Sequence, residues 1–243
     1  LRAAANDHGF DPKGEMWRLN SRVVGAYAEK DAEITLKLWQ RFKTEIEVQS
    51  LMTVFDLETA LIPVMLDMRE KGVKVNINQA EQTKTKLIAR KKELVAEIKR
   101  DTGVQVEPWV AKSVAKVFDY HNLHYNNTEG NGQPSFTKAF LQAHPHEVAA
   151  KILRLRELDK ASNTFVDNIL KFSHKGRIHC EFHQLRSDDG GTVTGRFSSS
   201  NPNLQQIPAR DPEIKAMIRG LFVPDDDCKW GSFDYSSQEP RLL

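Results

Sequence analysis

The chain has 243 residues, 40% of them hydrophobic, and 35 Lys and Arg against 33 Asp and Glu give a net charge of +2. That length supports one large domain or two modest ones with a real core, and so balanced a charge does not by itself announce a nucleic-acid partner. No run of eighteen apolar residues exists, the start at Leu1-Arg2-Ala3-Ala4-Ala5 has no signal-peptide pattern, and Cys180 and Cys228, the only cysteines, have no zinc-site spacing.

The expected molecule is therefore globular, intracellular and free of membrane spans, with reduced thiols. From Val23 to about Val48, Ala26, Ile34, Leu38, Phe42 and Ile46 recur near a 3.6-residue period, which predicts a helix. A second helix carries Val48, Leu51, Met52, Phe55, Ile62 and Met65 on one face and stops at Lys71-Gly72, where glycine suits a C-terminal cap. Val73-Lys74-Val75 alternates as a short strand would. Asn78 then predicts the cap of a long amphipathic helix with Ala80, Leu87, Ile88, Leu94, Val95 and Ile98 inward, ending by Thr102-Gly103. Its other face gathers Lys84, Lys86, Arg90, Lys91, Lys92, Lys99 and Arg100 against Glu93 and Glu97. Such a face either follows a phosphate backbone or is simply solvated.

Residues 103–146 read as shorter pieces, with a turn-rich loop from Asn126 to Gly132 and a small helix capped by Ser135. A further long helix is predicted over Glu147 to Phe172 from Val148, Ile152, Leu155, Leu158, Phe165 and Ile169. From Ile178 the period changes to two: Ile178, Cys180 and Phe182 alternate with His179, Glu181 and His183, the pattern of a half-buried strand. Ser187-Asp188-Asp189-Gly190-Gly191 reads as a turn. Asp211-Pro212 should open a short helix closed by Gly220. Trp230, Phe233 and Tyr235 mark an expected strand that gives out at Asp234, and Pro240 fits the first turn of a following helix.

Two stretches carry the most specific information. Thr192 to Arg210 reads Thr-Val-Thr-Gly-Arg-Phe-Ser-Ser-Ser-Asn-Pro-Asn-Leu-Gln-Gln-Ile-Pro-Ala-Arg, and Asp234-Tyr235-Ser236-Ser237-Gln238-Glu239-Pro240-Arg241 follows it. In this order they resemble a signature and the motif A of family A DNA polymerases, the bacterial DNA polymerase I family, in bacterial or phage form. The resemblance implies that Asp234 binds two Mg2+ ions, with the Tyr235 carbonyl as a further oxygen ligand, for transfer of a nucleotide from a dNTP to a primer 3'-hydroxyl. It places Tyr235, Ser236, Ser237, Gln238 and Glu239 at the incoming nucleotide, with Glu239 closing the space beside the sugar C2' against ribonucleotides, and Arg241 supporting the primer. Pro240, Ser237 and Gln238 depart from the commoner motif and leave Asp234, Glu239 and Arg241 in register.

By the same resemblance Arg196, Asn203 and Gln205 face the minor groove near the primer end. Acceptors there recur at similar places in every base pair, so donors test pair geometry and not sequence. His183 and Gln184 would approach template or primer, and Lys160, Ser162 and Asn163 the duplex backbone. On the residues alone, a polar loop, a solvated histidine and an exposed helix face remain open for these three groups. Upstream, Tyr27 and Asp31 lie four apart on one helix face, and they resemble the last motif of a 3'-5' exonuclease, in which Asp binds a metal and Tyr orients the attacking water.

The implied fold is mixed, helix-rich α/β: residues 1–48 the end of a ribonuclease-H-like exonuclease domain, 49–75 a connecting helix and the start of the polymerase domain, 76–172 a helical thumb, and 173–243 a partial antiparallel palm sheet with motif A. The implied partners are primer-template DNA and dNTP, with a monomer expected in the cytoplasm of a bacterium or phage-infected host and accessory factors unspecified. Because the chain starts without Met and stops just after motif A, it reads as part of something longer, without the second catalytic Asp and the fingers, and alone it should not catalyse two-metal transfer. A non-catalytic nucleic-acid-binding module and a single-subunit RNA polymerase relative are the rival readings. A P-loop is excluded, since no GxxxxGK[ST] occurs.

Overall fold

The computed structural model describes residues 14–186 and 190–242. Ser187, Asp188 and Asp189 of the expected turn lie outside the described residues, as does the side chain of Glu239. The chain forms two compact units, one ending at Val64 and the other beginning at Met65.

In the first unit, Asn20 accepts from the Arg22 N–H and so caps α1 (Ser21–Val48). The predicted helix is present, but Ile34, Leu38 and Phe42 stay 44%, 45% and 48% exposed, so the apolar stripe is only partly covered among the described residues. Trp39 meets Phe55, from the start of α2 (Met52–Lys71), with ring centroids 5.3 Å apart. Pro63 lies inside α2 and removes one backbone donor from it. Gly72 ends the helix at φ +61°, its N–H on the Met68 carbonyl.

The second unit is built on α3 (Ile77–Thr102), which buries Ala80, Thr83, Leu87, Leu94 and Ile98 at helical spacing and closes on left-handed Gly103. Its cap is Asn76, not Asn78. Asn76 has the extended backbone a cap needs and accepts from the Gln79 N–H, whereas Asn78 is already in the first helical turn. Against α3 pack α6 (Glu147–Lys160), a π-helical turn (Ala161–Val166) and α7 (Asp167–Phe172), so the helix predicted over 147–172 has the expected extent with a widened middle. The wide turn keeps Ala161, Ser162 and Val166 buried between Leu158 and Ile169.

α4 (Ala111–Tyr120) buries Phe118, which meets the Phe136 ring at 4.8 Å. The turn-rich loop is a hairpin of β2 (Asn126–Asn127) and β3 (Pro134–Ser135). Ser135 pairs in β3, so Thr137 is the residue that caps α5 (Lys138–Ala143), accepting from the Phe140 N–H.

β1 (Val73–Lys74), β4 (Ser173–His174) and β5 (Arg177–Ile178) form one sheet in the order β1-β5-β4. Lys175 and Gly176, at φ 48° and 75°, make the tight turn between the last two. The strand expected from Ile178 onward is divided. β5 pairs with β1 and β4, while β6 (Glu181–His183) pairs antiparallel with β7 (Ser198–Ser200). The alternation holds only to the change of partner: Ile178 and Cys180 are buried on either side of half-buried His179, whereas Glu181, Phe182 and His183 are all half-buried. α8 (Pro212–Arg219) starts at Asp211, whose carboxylate accepts from the Ile214 N–H, and ends at Gly220 as predicted. The strand expected before Asp234 does not form. Residues 229–235 are without regular structure, Phe233 is 98% exposed, and no described strand lies alongside to complete a ladder.

Candidate active site and nucleic-acid interface

The segment from Phe197 to Gln206 is a closed unit made by β7, a bend at Asn201 and a 3-10 turn at Leu204–Gln206. Ser199, 4% exposed, ties it from inside: its Oγ donates to Asn203 Oδ1 across 3.2 Å and accepts from the Leu204 N–H. Asn203 Oδ1 also accepts from the Gln205 N–H at 3.0 Å. The Asn203 oxygen thus serves the turn, and the amide nitrogen is the end suited to a groove acceptor. Gln205 Nε2 uses one hydrogen on the Phe197 carbonyl at 2.9 Å, and an amide nitrogen carries two. Arg196 is exposed beside Gly195, and its carbonyl accepts from Thr192 Oγ1 at 2.7 Å. Across the β6–β7 pair, His183 Nε2 stands 2.8 Å from Ser200 Oγ, and Gln184 follows, half-buried.

Lys160 and Gln205, from distant parts of the chain, line one groove of about 590 Å³ together with Lys138, Phe165, Ile207 and Arg210. Asn163 faces elsewhere and donates to Asp159 Oδ1 across 2.9 Å. Ser162 corrects the expectation of a duplex contact: it is 1% exposed, on the same buried face as Leu155 and Leu158, and its hydroxyl donates to Asn163 Oδ1. The basic face of α3 is likewise partly structural, since Lys84 pairs with Asp167 at 2.6 Å, Lys91 with Asp159 at 2.7 Å and Arg90 with Glu93 at 3.1 Å. Sequence reasoning gave Asp159 no role. Burial pushes its carboxyl up, but donors from Lys91, Trp109 and Asn163 outweigh that and hold it below its ordinary value.

Asp234 is exposed in its unpaired segment, and Tyr235 is 82% exposed. Ser236 and Ser237 form a turn, with Ser237 at φ 53°, before α9 (Gln238–Leu242), where the exposed Arg241 returns its N–H to the Ser237 carbonyl. Among the described residues no three His, Cys, Asp or Glu side chains gather as metal ligands. The Asp234 carboxylate and the Tyr235 carbonyl offer at most a few of the roughly six oxygen positions that Mg2+ fills. These residues alone do not make a complete metal centre.

In the first unit Tyr27 and Asp31 share one face of α1, as the spacing required. A hydrogen bond to the Asp31 carboxylate, reinforced by its charge, raises the Tyr27 phenol above its ordinary value.

A sequence profile of DNA polymerase family A matches residues 77–243. The chain is 35% identical over 252 residues to a DNA-directed DNA polymerase of Pseudomonas phage M6, covering 100% of this chain and 38% of that one. It is 31% identical over 233 residues to the thermostable DNA polymerase I of Thermus thermophilus, covering 91% of this chain and 27% of the relative. Among solved structures, the POL domain of Pol1 from M. smegmatis in complex with DNA primer-template and dNTP is similar at a TM-score of 0.58 and 26% identity, over 70% of this chain and 30% of that one. The chain belongs to DNA polymerase family A. It spans less than two fifths of the length of these curated relatives.

Proposed function

We propose that the protein containing this chain extends a DNA primer on a DNA template, transferring a nucleotide from dNTP to the primer 3'-hydroxyl. The observation that carries this reading is the family match over residues 77–243, inside which both the Thr192–Arg210 and the Asp234–Arg241 stretches fall. In it Asp234 and the Tyr235 carbonyl contribute to a site for divalent cations, Mg2+ by preference because every donor is a hard oxygen. A second carboxylate must come from residues beyond those described. Arg196, Asn203 and Gln205 read the minor groove at the primer end, with His183 and Gln184 beside them. Lys160, in the groove with Gln205, holds a phosphate of the same duplex. Ser236, Ser237, Gln238 and Glu239 border the nucleotide, and Arg241 the primer.

Within the same proposal, residues up to about 48 close a proofreading nuclease, residues 76–172 serve as a thumb, and residues 173–243 begin the palm. Tyr27 beside Asp31 is the observation behind the nuclease assignment. The protein acts as a monomer in a bacterial or phage-infected cytoplasm, and no helix of the described residues is long and apolar enough to cross a membrane. The test is nucleotide choice by the complete protein with a primed DNA template. Extension with dNTPs and rejection of rNTPs is expected, while efficient use of rNTPs would move the protein to the RNA polymerases.

A further inference from the structure

Glu181, the one carboxylate of the β6–β7 pair, stands outside every role assigned so far, yet both of its oxygens are engaged. Its Oε1 accepts from Arg69 Nη2 across 3.1 Å. Its Oε2 accepts from Asn201 Nδ2 at 3.0 Å and from Ser200 Oγ at 3.4 Å. The Arg69 backbone is tied to the same region, because its carbonyl meets His179 Nδ1 at 2.8 Å. Ser200 is the cross-strand partner of Glu181 in the register Glu181↔Ser200, Phe182↔Ser199, His183↔Ser198.

The bond directions follow from the chemistry. A carboxylate only accepts, so the Ser200 hydroxyl gives its one hydrogen to Glu181 and must receive from His183. His183 therefore carries a hydrogen on Nε2, and the chain runs from His183 through Ser200 to Glu181. On the other side, Asn201 begins the bend that leads into Asn203 and Gln205, with Asn201 itself at φ 51°. The inner side of this bend is held by Ser199 and the outer side by Glu181. Neither the Ser199 nor the Phe197 bond would fix the bend against the α2 end of the unit. Glu181 does so through Arg69, in an ion pair whose Arg69 and Glu181 side chains are 51% and 33% exposed, so that solvent screens part of its strength.

We propose that Glu181 is a positioning residue: clamped by Arg69, it sets the Ser198–Gln206 bend, and with it the aim of the Asn203 and Gln205 amides and the ring of His183. The inference rests on the minor-groove reading of those amides proposed above. Its consequence is selectivity at the primer end, because a donor displaced by a fraction of an ångström no longer separates a correct pair from a mispair.

The experiment uses the complete protein as wild type, Glu181→Ala, Glu181→Gln, Asn201→Ala and the double variant Glu181→Ala/Asn201→Ala. Hydrogen exchange is read on the backbone amides of Leu204 and Gln205, and extension is read on matched and mismatched primer ends. Exchange at those amides is expected to accelerate roughly tenfold or more in Glu181→Ala, the size of one lost hydrogen bond to a charged group. Glu181→Gln, with one acceptor oxygen left for three donors, falls between. The matched-to-mismatched ratio drops about tenfold with the dNTP KM unchanged, and the double variant is no worse than the single ones because both break one link. Unchanged exchange in Glu181→Ala and Glu181→Gln overturns the positioning role, whatever the activity. Accelerated exchange with an unchanged mismatch ratio overturns its effect on selectivity. Accelerated exchange in a protein whose wild type extends no primer leaves the clamp standing and removes the polymerase reading on which its purpose rests.

Discussion

Asp159 receives Lys91 Nζ on one oxygen and Trp109 Nε1 on the other, each across 2.7 Å. One carboxylate thus joins α3, the loop before α4 and the end of α6, with its side chain 18% exposed. Replacing it with Asn keeps the shape, weakens the bond to Lys91 and turns one acceptor into a donor facing a donor. Asp159→Asn is expected to destabilise by about 2 kcal/mol at neutral pH, as loss of a charged hydrogen bond does. The carboxyl is held below its ordinary value, so its stabilisation is full above the unfolded-state pKa of about 4 and is lost as pH falls through the folded value. Urea unfolding should separate wild type from variant at pH 7 and show a narrower gap as pH falls below about 4. A constant gap would refute the assignment.

Gly72 has to be glycine on two separate grounds. Its φ is +61°, and a Cβ built there would lie 2.7 Å from His179 Nδ1 and 2.8 Å from the Ile178 carbonyl oxygen. The histidine ring can rotate away, but the carbonyl belongs to the β1–β5 ladder and cannot. Gly72→Ala is expected to cost about 2 kcal/mol from strain and contact together. Adding His179→Ala should not restore it. Thermal unfolding of both variants is the check, and full recovery in the double variant would show that the ring, not the backbone, sets the cost.

Asp31 and Tyr27 belong to the unit ending at Val64, and Asp234 to the other. If the two motifs serve separate chemistry, Asp31→Ala in the complete protein should lower 3'-end degradation of single-stranded DNA by about a thousandfold or more while primer extension stays within twofold. A matched loss of both activities would mean that Asp31 serves stability and not a nuclease.

Much of the helical frame was legible because burial on a helix leaves a periodic record. The existence of α1 and α3 and the start of α8 follow from Ile34-Leu38-Phe42, Leu87-Leu94-Ile98 and the Asp211-Pro212 start. Caps were less legible, since Asn76 and Asn78 are chemically identical and only backbone conformation separates them. Strand pairing was less legible still: Ile178 to His183 alternates without interruption, and nothing in that alternation says that its halves have different partners. Ser162 lies seven residues after Leu155 and seven before Ile169, so the helical count already put it on the buried face, where the resemblance had pointed to the duplex. Motif residues such as Arg196, Asn203 and Gln205 were found by resemblance, whereas the residues that hold them, Ser199 and Glu181, look like ordinary strand residues until the cross-strand register is known.

The central claim is that Asp234 is the carboxylate through which this protein transfers nucleotides. The direct measurement is primer extension with Mg2+ by the complete protein, as wild type and as Asp234→Ala, with folding followed by circular dichroism and duplex binding by a gel-shift titration. The account predicts that the variant folds, binds primer-template within a few-fold of wild type, and loses extension by at least about a thousandfold, the scale expected when a group that stabilises the transferring phosphoryl is removed. Normal extension by Asp234→Ala would contradict it.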